Sequence, residues 1–173
     1  MLYIVLVASE IAFWSLLVGG LFVRYALDRT ALSAVLLLAA ASTDVVVLLV
    51  AMGDLASGTA AQTSHLIAVI AFAYSVVYAR HLVGIADRFV LRRLGRPVAE
   101  PPKASRAKRE RDGWYRHARM WALGAPLLGF GYLIAGDGDA LIAGAGIWTV
   151  ILAIDFFVSF SYSLRPRSTN PEH

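Results

Sequence analysis

The chain has 173 residues, 58% of them hydrophobic, and a mean hydropathy of +0.65. Because a soluble domain is about half apolar, this composition indicates a protein with much of its surface in lipid. The absence of cysteine excludes disulfides, thiolate metal sites and cysteine nucleophiles. The net charge is +4, and clusters of Lys and Arg separate the apolar runs. This is the pattern of several membrane spans joined by loops.

Five apolar stretches are candidates for membrane spans, although the fourth is short and contains Pro126. The first stretch lacks the basic segment and the small-residue cleavage site of a signal peptide, so we expect it to be retained. We therefore predict an all-α, single-domain, polytopic membrane protein with a bundle of five transmembrane helices. The predicted spans cover approximately residues 2–23, 31–52, 65–86, 120–135 and 140–164.

The third span carries a polar stripe on an otherwise apolar helix. Tyr74, Tyr78, His81 and Arg88 follow one another at spacings of four, three and seven residues, which places them on one face. Such a stripe must be buried against other helices or line a cavity. We expect the remaining spans to supply its partners.

A basic segment, approximately residues 87–119, separates the third and fourth spans. Its charged run 103–112 is typical of an irregular, mobile linker, and Gly113–His117 (GWYRH) is typical of an interfacial anchor. The cations from Arg88 to Arg119 are expected to attract the anionic lipids of the inner leaflet. They are not accompanied by a recognisable nucleic-acid-binding module, so nucleic acid is not an expected partner.

The distribution of charge predicts the orientation. With the amino terminus outside, five spans place Arg24, Arg29, the basic segment and the carboxyl-terminal tail on one side of the membrane. The loops on the other side contain Asp54, Asp137 and Asp139 but neither Lys nor Arg. This asymmetry follows the positive-inside rule. It predicts an outside amino terminus and a cytoplasmic carboxyl terminus.

Two carboxyls and a tyrosine are predicted to form a first polar layer. A rise of about 1.5 Å per residue places Glu10, Asp44 and Tyr74 about 10–13 Å below the outer ends of their spans. Two neighbouring carboxyls would share a proton or hold a cation, and Tyr74 could donate a hydrogen bond to either. An ionisable side chain in hydrocarbon costs about 2.5–3.5 kcal/mol. Because these spans offer the carboxyls no cation at this depth, we favour a proton- or cation-binding site over simple packing.

A second polar layer is predicted nearer the cytoplasm. Asp155 lies about 22 Å into the fifth span, at a depth close to that of Tyr78 and His81. Ser159 shares its helical face, and Arg80 and Arg24 are, with His81, the candidate cations beside it. Asp155 is expected to form an ion pair or to orient the imidazole. Hydrogen bonding between packed helices explains this layer equally well.

The positions of the histidines do not decide whether the protein binds a cofactor. His65 begins the third span, on the face opposite Tyr74; it favours a surface pair with Asp54 over a metal ligand. His65 and His81 are about 24 Å apart on one helix, so they cannot bind one haem together, whereas His81 with His117 stays open. We predict no metal site, because a catalytic zinc usually needs three ligands and Glu10, Asp44 and His65 could supply them only if His65 turned inward.

Short motifs are distributed along nearly the whole chain. They are Ser9–Trp14, Arg24-Tyr25, Asp54-Leu55 followed by Ser57-Gly58 and His65, Ala86–Phe89, Gly113–His117, Ile154–Phe156 and Ser159–Tyr162. These motifs resemble those of YmcC-type bacterial integral membrane proteins. The resemblance implies a multi-pass protein of the bacterial inner membrane with a similar topology, and it assigns no catalytic residue.

Three functions are compatible with these features. The first is a small binding or transport module, monomeric or a homo-oligomer, with its site at Glu10 and Asp44. The second is an intramembrane enzyme for a lipid or isoprenoid substrate, with His81, Asp155 or His65 in acid–base roles; it needs a cleft that opens sideways between helices. The third is an accessory subunit of a membrane complex, which would pack the glycine-rich fourth span against a partner.

Overall fold

The computed structural model describes residues 2–98 and 105–164, with side chains for residues 3–98 and 105–161. This part of the chain is all-helical and contains no strand, which confirms the predicted all-α fold. The helices are α1 (Leu2–Ala26), α2 (Thr30–Ala56), α3 (Thr63–Arg93), α4 (Arg106–Ile134) and α5 (Asp139–Leu164).

Four of these helices, α1, α2, α3 and α5, are long and apolar enough to cross a membrane. The fourth helix falls short because its first half, RAKRERDGWYRHAR, is strongly charged. Only its second half is apolar. The structure thus supports four of the five predicted spans, and the fourth span stays a prediction.

The charged run 103–112 differs from its prediction. From Arg106 onwards it is helical, and the hydroxyl of Ser105 caps the helix by accepting a hydrogen bond from the backbone N–H of Lys108 at 3.3 Å. Lys, Arg and Glu are good helix formers, so charge alone does not prevent a helix here. The prediction of an irregular linker is therefore wrong for this part, while residues 103 and 104 lie outside the described residues.

The helices form two hairpins with one helix between them. In the first hairpin α1 packs along α2, and in the second α4 packs along α5. Helix α3 lies between the hairpins and contacts all four other helices. The polar stripe of α3 is therefore within reach of both hairpins.

The main apolar core lies where α2, α3, α4 and α5 meet, and it includes Leu55, Val69, Leu128 and Trp148. The indole of Trp148 packs directly on α4, because a Cβ atom at Gly124 would lie 2.5 Å from its ring. Glycine is thus required at this crossing. At the same end of the bundle the α2–α3 and α4–α5 loops are joined by a hydrogen bond between the Ala61 N–H and the Asp137 carbonyl at 2.7 Å.

Helix α1 presents a stripe of large apolar side chains to its surroundings. They recur every three or four residues, so they occupy one helical face. A continuous exposed apolar face is unfavourable in water and is what a lipid-facing helix requires. The stripe consists of Ile4, Val7, Ile11, Trp14, Val18 and Phe22, each more than half exposed.

Candidate functional site

The three residues predicted to meet in one layer line the same cavity. This cavity, called the carboxyl cavity below, has a volume of about 610 Å³ and lies between α1, α2 and α3. Glu10 is contributed by α1, Asp44 by α2 and Tyr74 by α3. None of the described residues on its walls is Lys, Arg or His. The other lining residues are mostly apolar and include Phe13, Leu17, Ile70, Leu82 and Phe89.

Asp44 is the more deeply buried of the two carboxyls, with 8% of the residue exposed. Its carboxyl accepts a hydrogen bond from the hydroxyl of Ser75, one residue beyond Tyr74 on α3. Sequence reasoning missed Ser75, because a serine in an apolar run is common in membrane helices and carries no distinct signal. The bond ties α2 to α3 at the cavity wall.

Glu10 is held only locally. Its Oε2 atom accepts a hydrogen bond at 3.2 Å from the indole N–H of Trp14, one turn further along α1. Both side chains lie on the open side of the cavity. The ring of Tyr74 stacks on that of Tyr78 with centroids 4.6 Å apart, and its described contacts do not include the predicted hydrogen bond to a carboxyl.

The second predicted layer is built around a histidine that the sequence analysis did not place there. His117 Nδ1 lies 3.0 Å from Asp155 Oδ2, and His117 Nε2 accepts a hydrogen bond at 3.0 Å from the indole N–H of Trp148. Because an indole only donates, Nε2 must be the accepting nitrogen and Nδ1 carries the proton that Asp155 accepts. The hydroxyl of Ser159 lies 3.4 Å from Asp155 Oδ1.

His81 and Arg24 do not accompany Asp155, which corrects the prediction. His81 is exposed and meets the ring of Tyr78 edge-on at 6.4 Å. Arg24 lies 3.9 Å from Asp87 Oδ2, and Asp87 also accepts a hydrogen bond from Tyr25 at 2.6 Å. For Arg24 the physical reason is helix order: α1 and α5 lie on opposite sides of α3 and have no contacts in the described part of the chain.

A second cavity, called the polar cavity below, lies between α3, α4 and α5 and has a volume of about 380 Å³. Tyr74 lines both cavities, and Tyr78 stands beside it. Two of the predicted residues, Asp155 and Ser159, therefore share this cavity with Tyr78. The remaining lining residues are Glu110, Gly113, Trp114, His117 and Met120, all of α4.

His65 forms the predicted pair with Asp54, but only the Asp54 side chain, which is 40% exposed, lies at the surface. The imidazole is almost fully buried, at 1% exposure, and its Nε2 lies 3.0 Å from Asp54 Oδ2. Its Nδ1 accepts a hydrogen bond from the backbone N–H of Gln62 at 3.0 Å, so Nε2 donates to Asp54. With both nitrogens engaged, His65 closes the α2–α3 loop and has no lone pair left for a metal.

Histidine ligation of haem by His81 and His117 does not fit the structure either, because Trp148 and Asp155 occupy both nitrogens of His117. Within residues 2–98 and 105–164, no group of three His, Asp or Glu side chains has the arrangement of a metal site.

A helical bundle with lipid-compatible outer faces and carboxyls on interior cavities defines an integral membrane protein. The chain is 32% identical over 168 residues to the "Uncharacterized membrane protein YmcC" of Bacillus subtilis (strain 168), covering 94% of this chain and 91% of that protein. It therefore belongs to the YmcC family of membrane proteins, which confirms the resemblance found in its motifs. No family profile matches the chain. No solved structure matches it.

Proposed function

We propose that the chain is a small binding or transport module of the bacterial inner membrane that accepts protons or a cation at Glu10 and Asp44. One observation carries the proposal: two carboxyls from different helices line one apolar cavity whose described walls contain no basic side chain. The cavity is open between α1 and α3, because Trp14, Ile85 and Phe89 on its walls are exposed.

The hydrogen bonding of the carboxyls supports this proposal. An ionised carboxylate offers about four acceptor positions, whereas Glu10 receives one bond from Trp14 and Asp44 one from Ser75. A carboxylate left in this state in hydrocarbon would cost about 2.5–3.5 kcal/mol. A bound proton removes this cost by neutralising the group, and a bound cation does so by coordinating the empty positions.

The proposed topology has five spans, with the apolar second half of α4 as the fourth, an outside amino terminus and a cytoplasmic carboxyl terminus. Two features support it. The end of the bundle where the two loops are joined carries Asp54, in the last turn of α2, and Asp137, but no Lys or Arg. Arg24, Arg92 and Arg106 lie at the opposite helix ends, where they would face anionic inner-leaflet lipids.

The enzyme hypothesis is a second candidate, because the cleft that it requires is present between α1 and α3. The residues expected to have acid–base roles fit this hypothesis less well. His65 is closed off by Asp54, His81 is exposed, and Asp155 belongs to the polar cavity. The cleft therefore favours an apolar or partly apolar ligand more than it favours catalysis.

The accessory-subunit hypothesis requires an exposed glycine-rich face on the fourth span. Two glycines of this span instead pack against other helices of the same chain. A Cβ atom at Gly124 would meet Trp148, and one at Gly131 would lie 3.0 Å from Leu141. Gly129 alone among the span's three glycines faces open space. A partner-binding face built from these glycines is therefore not supported.

The test is the double variant Glu10→Gln with Asp44→Asn, compared with Asp28→Asn as a matched control in an exposed turn. The C=O stretch of protonated carboxyls is recorded by infrared spectroscopy on the purified protein while the pH is raised and, separately, while Na⁺ is added. We expect a band that disappears in the wild type and in the control and is missing in the double variant. Normal thermal unfolding of the double variant must accompany this loss. If the double variant unfolds instead, or keeps the band, the carboxyl site is refuted.

A further inference from the structure

The polar cavity plays no part in the proposed function, yet two carboxyls line it. Its walls include the carboxyls of Glu110 and Asp155, together with the hydroxyl of Ser159. Its volume of about 380 Å³ is suited to a small headgroup rather than to a whole lipid.

The charge of Asp155 is not cancelled by its histidine. Trp148 donates to His117 Nε2, so in this hydrogen-bond arrangement that nitrogen is an acceptor and the imidazole carries its single proton on Nδ1. Asp155 accepts from His117 through Oδ2 only. Its Oδ1 has the long 3.4 Å contact with Ser159, and its side chain is 36% exposed. This oxygen retains capacity for a cationic donor.

A basic side chain stands at the edge of this acidic cavity. The guanidinium of Arg116 lies 5.8 Å from the ring centroid of Tyr78, a residue of the cavity wall. Its Nε atom is buried and has no hydrogen-bond partner within the described chain. A buried donor of this kind costs free energy until an acceptor reaches it. Arg116 thus places a guanidinium that is not fully hydrogen-bonded next to the wall that carries the carboxyls.

The depth of the polar cavity in the membrane agrees with a ligand that lies at the membrane interface. Glu110 lies one turn from the start of α4, and the neighbouring exposed side chains Lys108 and Arg109 are charged. Charged side chains of this type lie at the depth of lipid headgroups.

We propose that the polar cavity binds a phosphate-linked primary ammonium group, as in the phosphoethanolamine headgroup. Glu110 and Asp155 accept hydrogen bonds from the ammonium, which has three donors, and the guanidinium of Arg116 donates to the phosphate. A phosphoglycerol headgroup lacks the cation and a quaternary phosphocholine lacks the N–H donors, so both should bind more weakly. The intact lipid and soluble phosphoethanolamine share this chemistry. The proposal is independent of the carboxyl cavity.

The test is native mass spectrometry of the purified full chain with added phosphatidylethanolamine, phosphatidylcholine or phosphatidylglycerol, followed by competition with soluble phosphoethanolamine. We expect preferential retention of phosphatidylethanolamine. Glu110→Gln and Arg116→Gln should each reduce that retention about tenfold, the effect of losing one charge-assisted hydrogen bond. Asp112→Asn, an exposed carboxyl of the same helix, is the matched control and should bind like the wild type.

Displacement of the lipid by soluble phosphoethanolamine supports the shared headgroup chemistry. Binding of the soluble compound without the lipid supports the same site with a soluble source. Equal retention of the three lipids with no binding of soluble phosphoethanolamine overturns the proposal, and so does unchanged affinity in both Glu110→Gln and Arg116→Gln. Size-exclusion chromatography verifies the fold of each variant; if one of the two is misfolded, the other decides.

Discussion

The polar side chains of the two hairpins differ in whether their hydrogen bonds connect the two helices. In the α4–α5 hairpin three indole N–H groups bond across the helices: Trp148 to His117 at 3.0 Å, Trp121 to Thr149 at 3.0 Å and Trp114 to the Leu152 carbonyl at 3.3 Å. In the α1–α2 hairpin, Trp14 bonds only within its own helix, to Glu10.

This difference distinguishes polar residues that stabilise helix packing from polar residues that are available to form a binding site. Polar residues that bond between helices hold a membrane bundle together, and the α4–α5 hairpin uses His117 and Trp148 in this way. Polar residues that face an open cavity with most of their acceptors empty are available to a ligand. Glu10 and Asp44 are in this position, although Asp44 also accepts one hydrogen bond from Ser75 on α3. The contrast predicts that the first group controls stability and the second controls binding.

The largest effect on stability is expected from Gly124→Val. The new side chain would overlap the Trp148 ring, since even a Cβ atom would lie 2.5 Å from it. We expect a loss of about 3 kcal/mol, the upper end of the overpacking range, measured by thermal or denaturant unfolding in detergent. Gly129→Ala on the same helix, where nothing lies within 4 Å of the new Cβ atom, is the control. Equal stability of the two variants would mean that Trp148 does not pack on Gly124.

A smaller loss is expected from His117→Ala. The change removes the acceptor of Trp148 and the donor to Asp155, which should cost about 2 kcal/mol because two partly buried polar groups lose a partner. His81→Ala, an exposed histidine outside this network, should cost less than about 0.5 kcal/mol. If His81→Ala were the more destabilising of the two in the same unfolding assay, the assignment of His117, and not His81, to the stabilising hydrogen-bond network would be wrong.

Tyr25→Phe should have a modest effect. It removes the 2.6 Å hydrogen bond to Asp87 that connects α1 to α3, at an expected cost of about 1 kcal/mol. Tyr115→Phe is a suitable comparison, because Tyr115 is exposed and its described contact is through its ring to Trp114. Hydrogen exchange of α1 can serve as a second readout, since loosening of α1 alone should accelerate exchange there. No difference between the two variants would show that the Tyr25 bond contributes nothing.

The smallest stability effect is expected from Asp44→Asn. The amide oxygen can still accept from Ser75, so we expect unfolding within about 1 kcal/mol of the wild type together with lost proton or Na⁺ sensitivity. A loss comparable to that of His117→Ala would place Asp44 among the packing residues and remove the contrast between the hairpins.

The sequence predicted the helices and the first polar layer because both depend on local quantities. Apolar length defines a span, and helical rise gives depth, so Glu10, Asp44 and Tyr74 were expected to meet and line one cavity. Depth alone does not reveal which helices are neighbours. Arg24 was assigned to Asp155 although α3 lies between α1 and α5. His117 was not placed beside Asp155, because the sequence Gly113–His117 is typical of an interfacial anchor rather than of a polar layer inside the bundle.

The central claim is tested most directly by labelling the wild-type protein with dicyclohexylcarbodiimide and mapping the modified peptides by mass spectrometry. This apolar reagent reacts with protonated carboxyls that it can reach from the membrane. The account predicts modification of Glu10 or Asp44 that decreases when the pH is raised and when Na⁺ is added before the reagent. Absence of modification at both residues, or modification that neither pH nor Na⁺ changes, would contradict it.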